Sequence, residues 1–281
     1  MTNASTLIHQ QPPFLGFVSP DWLESVLGQE NLRIVQLDGE KYYSNFHIPG
    51  AVNISYSRIV TKRGDVPGML ADPEDLALEL GRLGIGPTTP VLAYDLTGGL
   101  DAARFLWTLV MGGHTGFRAV LDGGLNTWYS QSRPMESGAV TVAALDFPWR
   151  PDSRHLAGYE EVLAIAEGRR DAALLDTRTE KEYLGLTVRA PHGHIAGAAH
   201  FDWTDSLVGP KDLRLKNLTE IEERLAGLGI VEKNREVVLY CETAHRASHT
   251  WLLLRHLGFE NARLYDGSIA EWRVRNLPVT T

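Results

Sequence analysis

Four segments of this chain occur twice, in the same order. HIPGAVNI at 47–54 returns as HIAGAAHF at 194–201, VLAYD at 91–95 as VVLYC at 237–241, and VLDGGLNTW at 120–128 as LYDGSIAEW at 264–272. VQLDG at 35–39 is echoed by LLDTR at 174–178. The offsets are 147, 146, 144 and, from Asp38 to Asp176, 138. Ordered matches at a long and nearly constant period mark a duplicated domain. A chain of 281 residues accommodates two such copies, at roughly 100–200 residues per domain. The drop to 138 assigns about nine extra residues, GLTVRAPHG, to the second copy between Asp176 and His194.

Each copy follows one plan. A short apolar strand ends in Asp38 or Asp176, and His-Ile-x-Gly-Ala follows at a tight turn. Helical spacing of apolar residues then runs through 71–85 and 218–230, with glycine near each end. A second apolar strand (PVLAY or EVVLY), a loop, a helix and a third strand ending in Asp-Gly complete the copy. Trp128 and Trp272 sit on the short helix after that strand, where domain packing is their expected role. Strands alternating with helices predict an α/β fold in which each domain is a parallel sheet flanked by helices on both faces. Continuous apolar strands fit burial on both sides. The first domain is expected at 16–134, a turn-rich linker at 135–156, and the second domain at 157–281.

Composition narrows the partners. With 43% hydrophobic and 22% charged residues the chain reads as globular. Its net charge of -8 and lack of a Lys/Arg tract argue against nucleic acid and against an anionic membrane surface. No apolar run approaches the ~20 residues of a membrane span. The N-terminal MTNASTLIHQQPPF lacks the basic and apolar regions of a secretory signal. One cysteine excludes an internal disulfide and suits a reducing, cytoplasmic compartment. His192 and His194 are the closest histidine pair, in a loop, and no metal or other cofactor is expected.

That cysteine, Cys241, ends the second strand of the second copy. The loop Glu242, Thr243, Ala244, His245, Arg246 then leads into a helix. Ligands of open α/β sheets bind at the carboxyl ends of strands. A loop entering a helix directs backbone N–H groups and the helix dipole at one spot, which suits an anion. A cysteine on an apolar strand is ordinarily a small buried hydrophobe. Here the polar residues after it argue for chemistry, as does Asp95 at the matching position of the first copy. Arg246 can fork onto an oxyanion.

A tandem repeat whose second copy alone carries a strand-end cysteine in a C-x4-R loop resembles the two-domain rhodaneses. The resemblance runs from about Gly16 to Pro278. Asp95 matches the aspartate of that family's inactive first domain. D-x-R-x-x-x-E-Y-x-G is present as Asp176, Arg178, Glu182, Tyr183 and Gly185, and HIAGA and DGS-x-x-EW complete the set. The loop CETAHRAS, and FDWTDSL with Trp203, are similar to bacterial thiosulfate sulfurtransferases of the Azotobacter type. Related phosphatases and arsenate reductases use C-x5-R, a wider cradle, whereas here the corresponding position is Ala247.

The resemblance implies sulfur transfer by double displacement. Cys241 would take a sulfane sulfur from a small donor, thiosulfate, and pass the persulfide sulfur to a thiophilic acceptor: cyanide, a thiol or a protein. The amides of 242–246 would hold the outer sulfur, and Arg246 would stabilise the loop or the donor. His245 would orient the donor or remain an exposed loop histidine. Glu242 opposes a thiolate and would turn to solvent or pair with a base. Trp203 would wall the pocket or pack in the core, and Arg178 would pair with a carboxylate such as Glu182. Asp176 and Asp266 would tie down loop amides, and Arg189 could reach an anion. Vertebrate-type thiosulfate enzymes resemble C-R-K-G-V-T in this loop, and mercaptopyruvate enzymes C-G-S/A-G-V-T. Both tend to carry Arg where this chain has Glu182. A 3-mercaptopyruvate sulfurtransferase and a persulfide carrier or regulatory module serving a protein partner therefore remain alternatives.

Overall fold

The computed structural model describes Ile8, residues 14–188 and residues 192–281. They form two compact units. The first comprises residues up to 60, 71–152 and 210–214, and the second 61–70, 153–209 and 215–281.

The first copy supplies strands β1 Leu15–Val18, β2 Arg33–Gln36, β3 Val52–Asn53, β4 Val60–Arg63, β5 Val66–Leu70, β6 Val91–Tyr94 and β7 Arg118–Leu121. Its helices are α1 Pro20–Val26, α2 Glu40–Asn45, α3 Pro73–Arg82, α4 Leu100–Met111 and α5 Gly124–Ser130. The second copy supplies β8 Leu156–Ala157, β9 Ala173–Asp176, β10 Ala198–His200, β11 Leu207–Gly209, β12 Asp212–Leu215, β13 Val237–Tyr240 and β14 Ala262–Tyr265. Its helices are α6 Tyr159–Ala166, α7 Glu180–Tyr183, α8 Leu218–Ala226, α9 His245–His256 and α10 Ser268–Val274.

Five strands make a parallel sheet in each unit, β1-β7-β6-β2-β3 and β8-β14-β13-β9-β10, so the strand order is the same in both. The central strands VLAY and VVLY are buried at every residue, as a sheet covered by helices on its faces requires. Register repeats as well: Gln36 lies beside Tyr94, and Asp176 beside Tyr240.

The helices over 71–85 and 218–230 are shorter than the sequence pattern predicts. Asp72 with Pro73 opens α3, and Asn217, accepting the Thr219 N–H, opens α8. Gly84 and Gly229, both at positive φ, turn the last residues out of the helix.

Local hydrogen bonds are duplicated with the sheets. The hydroxyls of Tyr94 and Tyr240 accept the amides of Ile48 and Ile195 at 2.9 and 3.0 Å. His47 and His194 bond the carbonyls of Tyr43 and Tyr183 through Nδ1 and stack on those rings. His194 is thus tied into the turn. The indoles of Trp128 and Trp272 are fully buried and donate to the carbonyls of Pro134 and Pro278, both at 2.8 Å, which is the packing role expected of them.

Candidate functional site

The strand–loop–helix junction of the first unit shows what the architecture favours. Asp95, fully buried, follows β6. Its Oδ1 accepts the amides of Thr97 and Gly99, both at 2.8 Å, and its Oδ2 accepts that of Ala102 at 2.9 Å. Three N–H groups from the loop and the first turn of α4 therefore converge on one carboxyl group, whose pKa burial first and Asp101 second nevertheless raise.

In the second unit Cys241 occupies the strand-end position, and 1% of its surface is exposed. The loop is one residue shorter, with α9 starting at His245 where α4 starts at Leu100. Ala244, the residue before α9, has φ of 59° and corresponds to Gly99 at 90°. A left-handed alanine costs roughly 1 kcal/mol or more, so its surroundings must enforce it. Ser268 does so. Its Oγ accepts the amides of Ala244 and Cys241 at 2.9 and 3.2 Å and donates to the Tyr265 carbonyl at 2.9 Å. The matching residue of the first copy is Gly124, where a Cβ would collide with the Asp95 carbonyl oxygen. Ser268 was not among the residues the sequence reading gave a role. The signal was the change from DGG to DGS between the copies.

The hairpin β4–β5 also reaches this loop through residues 61–70, which belong to the second unit. The Leu70 amide donates to Asp266 Oδ2 at 2.9 Å. A Cβ on Gly68, at φ of +74°, would lie 2.7 Å from Thr243 Cβ. Nothing in the local pattern of 61–70 announces this approach.

Charges around the loop are paired. Arg246 grips Glu182 with both terminal nitrogens, at 2.7 and 2.8 Å. Thr179 donates to the same carboxylate from its amide and its hydroxyl, as the capping box of α7. Burial opposes the Glu182 carboxylate, but the Arg246 fork and Thr179 overcome it and lower its pKa to about 2. Burial likewise opposes the Arg246 charge, and Glu182 and the nearby Cys241 sulfur raise its pKa above the ordinary value instead.

The pairing of Arg178 with Glu182 is therefore corrected. Arg178, 2% exposed, is bound to Asp176 at 2.6 Å and to the Gly193 carbonyl at 2.8 Å. Asp176 is wholly buried at the end of β9 and takes the cation two residues away, whereas α7 turns Glu182 toward Arg246. Asp176 also accepts the Arg178 amide, and Asp266 that of Leu70, as expected of strand-end carboxylates. Glu242 pairs with a base, Arg273, at 2.7 Å.

Trp203 is half-buried and stands edge-on to His249 of α9, ring centres 5.3 Å apart. Burial, then His245, hold the His249 imidazole neutral, with a pKa of about 3. Thr243 and His245 are half-buried at the loop. Arg189 lies outside the described residues.

The model of the rhodanese-like domain matches residues 19–131 and 159–275. The chain belongs to the rhodanese family. It is 32% identical over 263 residues to a thiosulfate sulfurtransferase of Azotobacter vinelandii, covering 91% of this chain and 93% of that one. It is 31% identical over 273 residues to the sulfur carrier protein TtuD of Thermus thermophilus, covering 91% and 92%. SseA of Escherichia coli, described as a 3-mercaptopyruvate sulfotransferase, superposes with a TM-score of 0.79 at 26% identity, covering 91% and 99%. Among the described residues of this rhodanese no helix is long and apolar enough to cross a membrane.

Proposed function

We propose that this rhodanese is a thiosulfate sulfurtransferase whose second domain, 157–281, carries the chemistry on Cys241 while the first, 16–134, is non-catalytic. One observation carries the reading. Cys241 stands where three backbone N–H groups of the sister loop converge on Asp95 and offset part of the cost that burial and Asp101 impose on its charge, so the junction directs N–H donors at the strand-end side chain.

The Cys241 thiolate attacks the outer sulfur of thiosulfate. A Cys241–sulfur bond forms, the sulfur–sulfur bond of the donor breaks, and sulfite leaves with its electron pair. The charge before and after is the same. This is the displacement at sulfur of thiol–disulfide exchange. The persulfide anion rests against the loop 242–246, whose shape Ser268 fixes through the Ala244 amide. A thiophilic acceptor (cyanide, a thiol or a protein thiol) removes the outer sulfur and regenerates the thiolate. A covalent intermediate of this kind gives ping-pong kinetics. Arg246 acts through the loop and through Glu182, and His245 and Thr243 border the donor. A reducing, cytoplasmic setting keeps the thiol available.

The test is intact mass after mixing with thiosulfate. The wild-type chain gains one sulfur atom, and cyanide removes it. Cys241→Ala gains none. A wild-type chain that takes no sulfur sinks the reading. Likeness to TtuD favours a second reading, a carrier delivering the same persulfide sulfur to a protein. In that case sulfur loads normally but turnover with cyanide stays slow.

A further inference from the structure

We infer that the β4–β5 hairpin is a movable cover over the Cys241 loop, latched by Asp266, and that this latch sets how bulky a sulfur acceptor can reach the persulfide. The inference rests on the sulfurtransferase reading and concerns its second half, the delivery of sulfur.

Three contacts join the hairpin, the catalytic loop and the turn after β14 into a closed circuit. The Leu70 amide, at the end of β5, donates to Asp266 Oδ2 at 2.9 Å. Two residues along the same turn, Ser268 Oγ accepts the amides of Ala244 and Cys241 at 2.9 and 3.2 Å. Gly68 faces Thr243, two residues after the cysteine, so closely that a Cβ on it would lie 2.7 Å from Thr243 Cβ. The hairpin thus covers the Thr243 side of the loop and is tied to the turn that shapes that loop. Cys241 itself is 1% exposed. The larger an acceptor's body, the more of these surroundings must move aside before its sulfur meets the persulfide.

The hairpin is the piece suited to move. Among the described residues β4 and β5 pair only with each other, and a two-stranded hairpin is marginally stable by itself. Of the two strands only Val66 is buried. Segments with little buried surface open at a lower free-energy cost than core strands. The base of the hairpin is closed by the Ala71 amide on the Ile59 carbonyl at 3.2 Å. The loop, by contrast, issues from β13, buried at every residue, and is held by Ser268, which is fully buried. Opening therefore falls between hairpin and loop, and the Leu70–Asp266 bond is the one that breaks. The gated step is sulfur delivery: the acceptor's thiolate bonds to the outer sulfur, the Cys241–sulfur bond breaks, and its electron pair returns to Cys241 as the thiolate.

The decisive variant is Asp266→Ala, which removes the latch's acceptor. In ping-pong turnover kcat/KM for the acceptor reports the delivery half alone. It is measured with cyanide, cysteine and glutathione on the chain loaded from thiosulfate. The ratio of kcat/KM for glutathione over cyanide is expected to rise about tenfold in the variant, the effect of losing a hydrogen bond to a carboxylate, with cysteine in between. An unchanged ratio, or the same change for all three acceptors, overturns the inference, because a merely structural Asp266 does not discriminate by size. If that variant fails to fold, replacing residues 62–69 by Gly-Gly removes the cover and leaves the turn and the loop intact. The same ratio must rise, and a ratio that does not overturns the inference. Hydrogen exchange on the wild-type chain is a further check: the Leu70 amide should exchange faster than the amides of β13, and equal protection overturns the inference. A wild-type chain that takes no sulfur from thiosulfate overturns the sulfurtransferase reading together with this inference. Normal loading with a size-independent response removes this inference alone.

Discussion

The loops after β6 and β13 begin from the same buried strand and end in the same kind of helix, yet they solve opposite problems. At Asp95 the chain supplies its own anion, and three amides are satisfied permanently. At Cys241 the loop is one residue shorter, and its backbone shape is held from outside by Ser268. A similar supersecondary frame therefore closes on its own carboxylate in one copy and presents a buried cysteine in the other. The difference teaches that the cradle belongs to the fold, whereas its use belongs to two or three side chains.

The strongest way to break this comparison is to move the sulfur. In the double variant Asp95→Cys with Cys241→Ala, mass spectrometry should detect no added sulfur from thiosulfate. The loop there is one residue longer and has Gly124 in place of Ser268, so a cysteine at 95 would meet the amides of Thr97, Gly99 and Ala102 in a cradle of different shape. Sulfur on residue 95 would mean that the junction alone suffices.

Next in size is stability. Asp95→Ala leaves buried N–H groups without their acceptor, at about 1–3 kcal/mol for an unsatisfied buried group. Urea unfolding should show a loss in that range or above it. Cys241→Ala removes one small buried side chain and should cost less. Equal losses would show that the two positions are structurally equivalent after all.

A smaller effect separates two glycines. Gly68→Ala places a Cβ 2.7 Å from Thr243 Cβ at φ of +74°, and Gly98→Ala places one 3.2 Å from Leu213 Cβ at +77°. Both should lose roughly 1–2 kcal/mol from backbone strain. Only Gly68→Ala should also slow sulfur uptake, because its neighbour lies in the Cys241 loop. Equal uptake in the two variants would remove the hairpin from the site.

Acid sharpens the contrast last. The folded pKa of Glu182 is about 2, below its usual 4.5. Its stabilisation is complete above about 4.5 and is lost as pH falls toward 2. Asp38 is opposite, raised from 3.8 to about 6 by burial first and Asp95 second. Its contribution is complete below 3.8 and is lost as pH rises through 6. Hydrogen exchange followed from pH 6.5 to 3.5 should show protection at β13 weakening relative to β6. The reverse order would contradict both assignments.

Much of this was legible in the order of residues. Duplication, the parallel α/β sheets, the strand-end position of Cys241, the short loop and the structural tryptophans all follow from local apolar runs and from comparing one copy with the other. The pairing of charges was not legible. Arg178 pairs with a carboxylate as expected, but with Asp176 rather than Glu182, which Arg246 takes instead. Long side chains choose partners by the direction in which each element leaves its sheet, a property with no sequence period.

By itself, then, the sequence determined that this protein is a doubled domain with one cysteine at a strand end, because hydrophobic pattern and repetition are written locally. Only the tertiary structure decided that Glu182 closes the Arg246 fork, that Ser268 holds Ala244 left-handed, and that Gly68 lies against Thr243. Those contacts join residues 64, 24 and 175 positions apart in the chain, and such distances are bridged by folding alone.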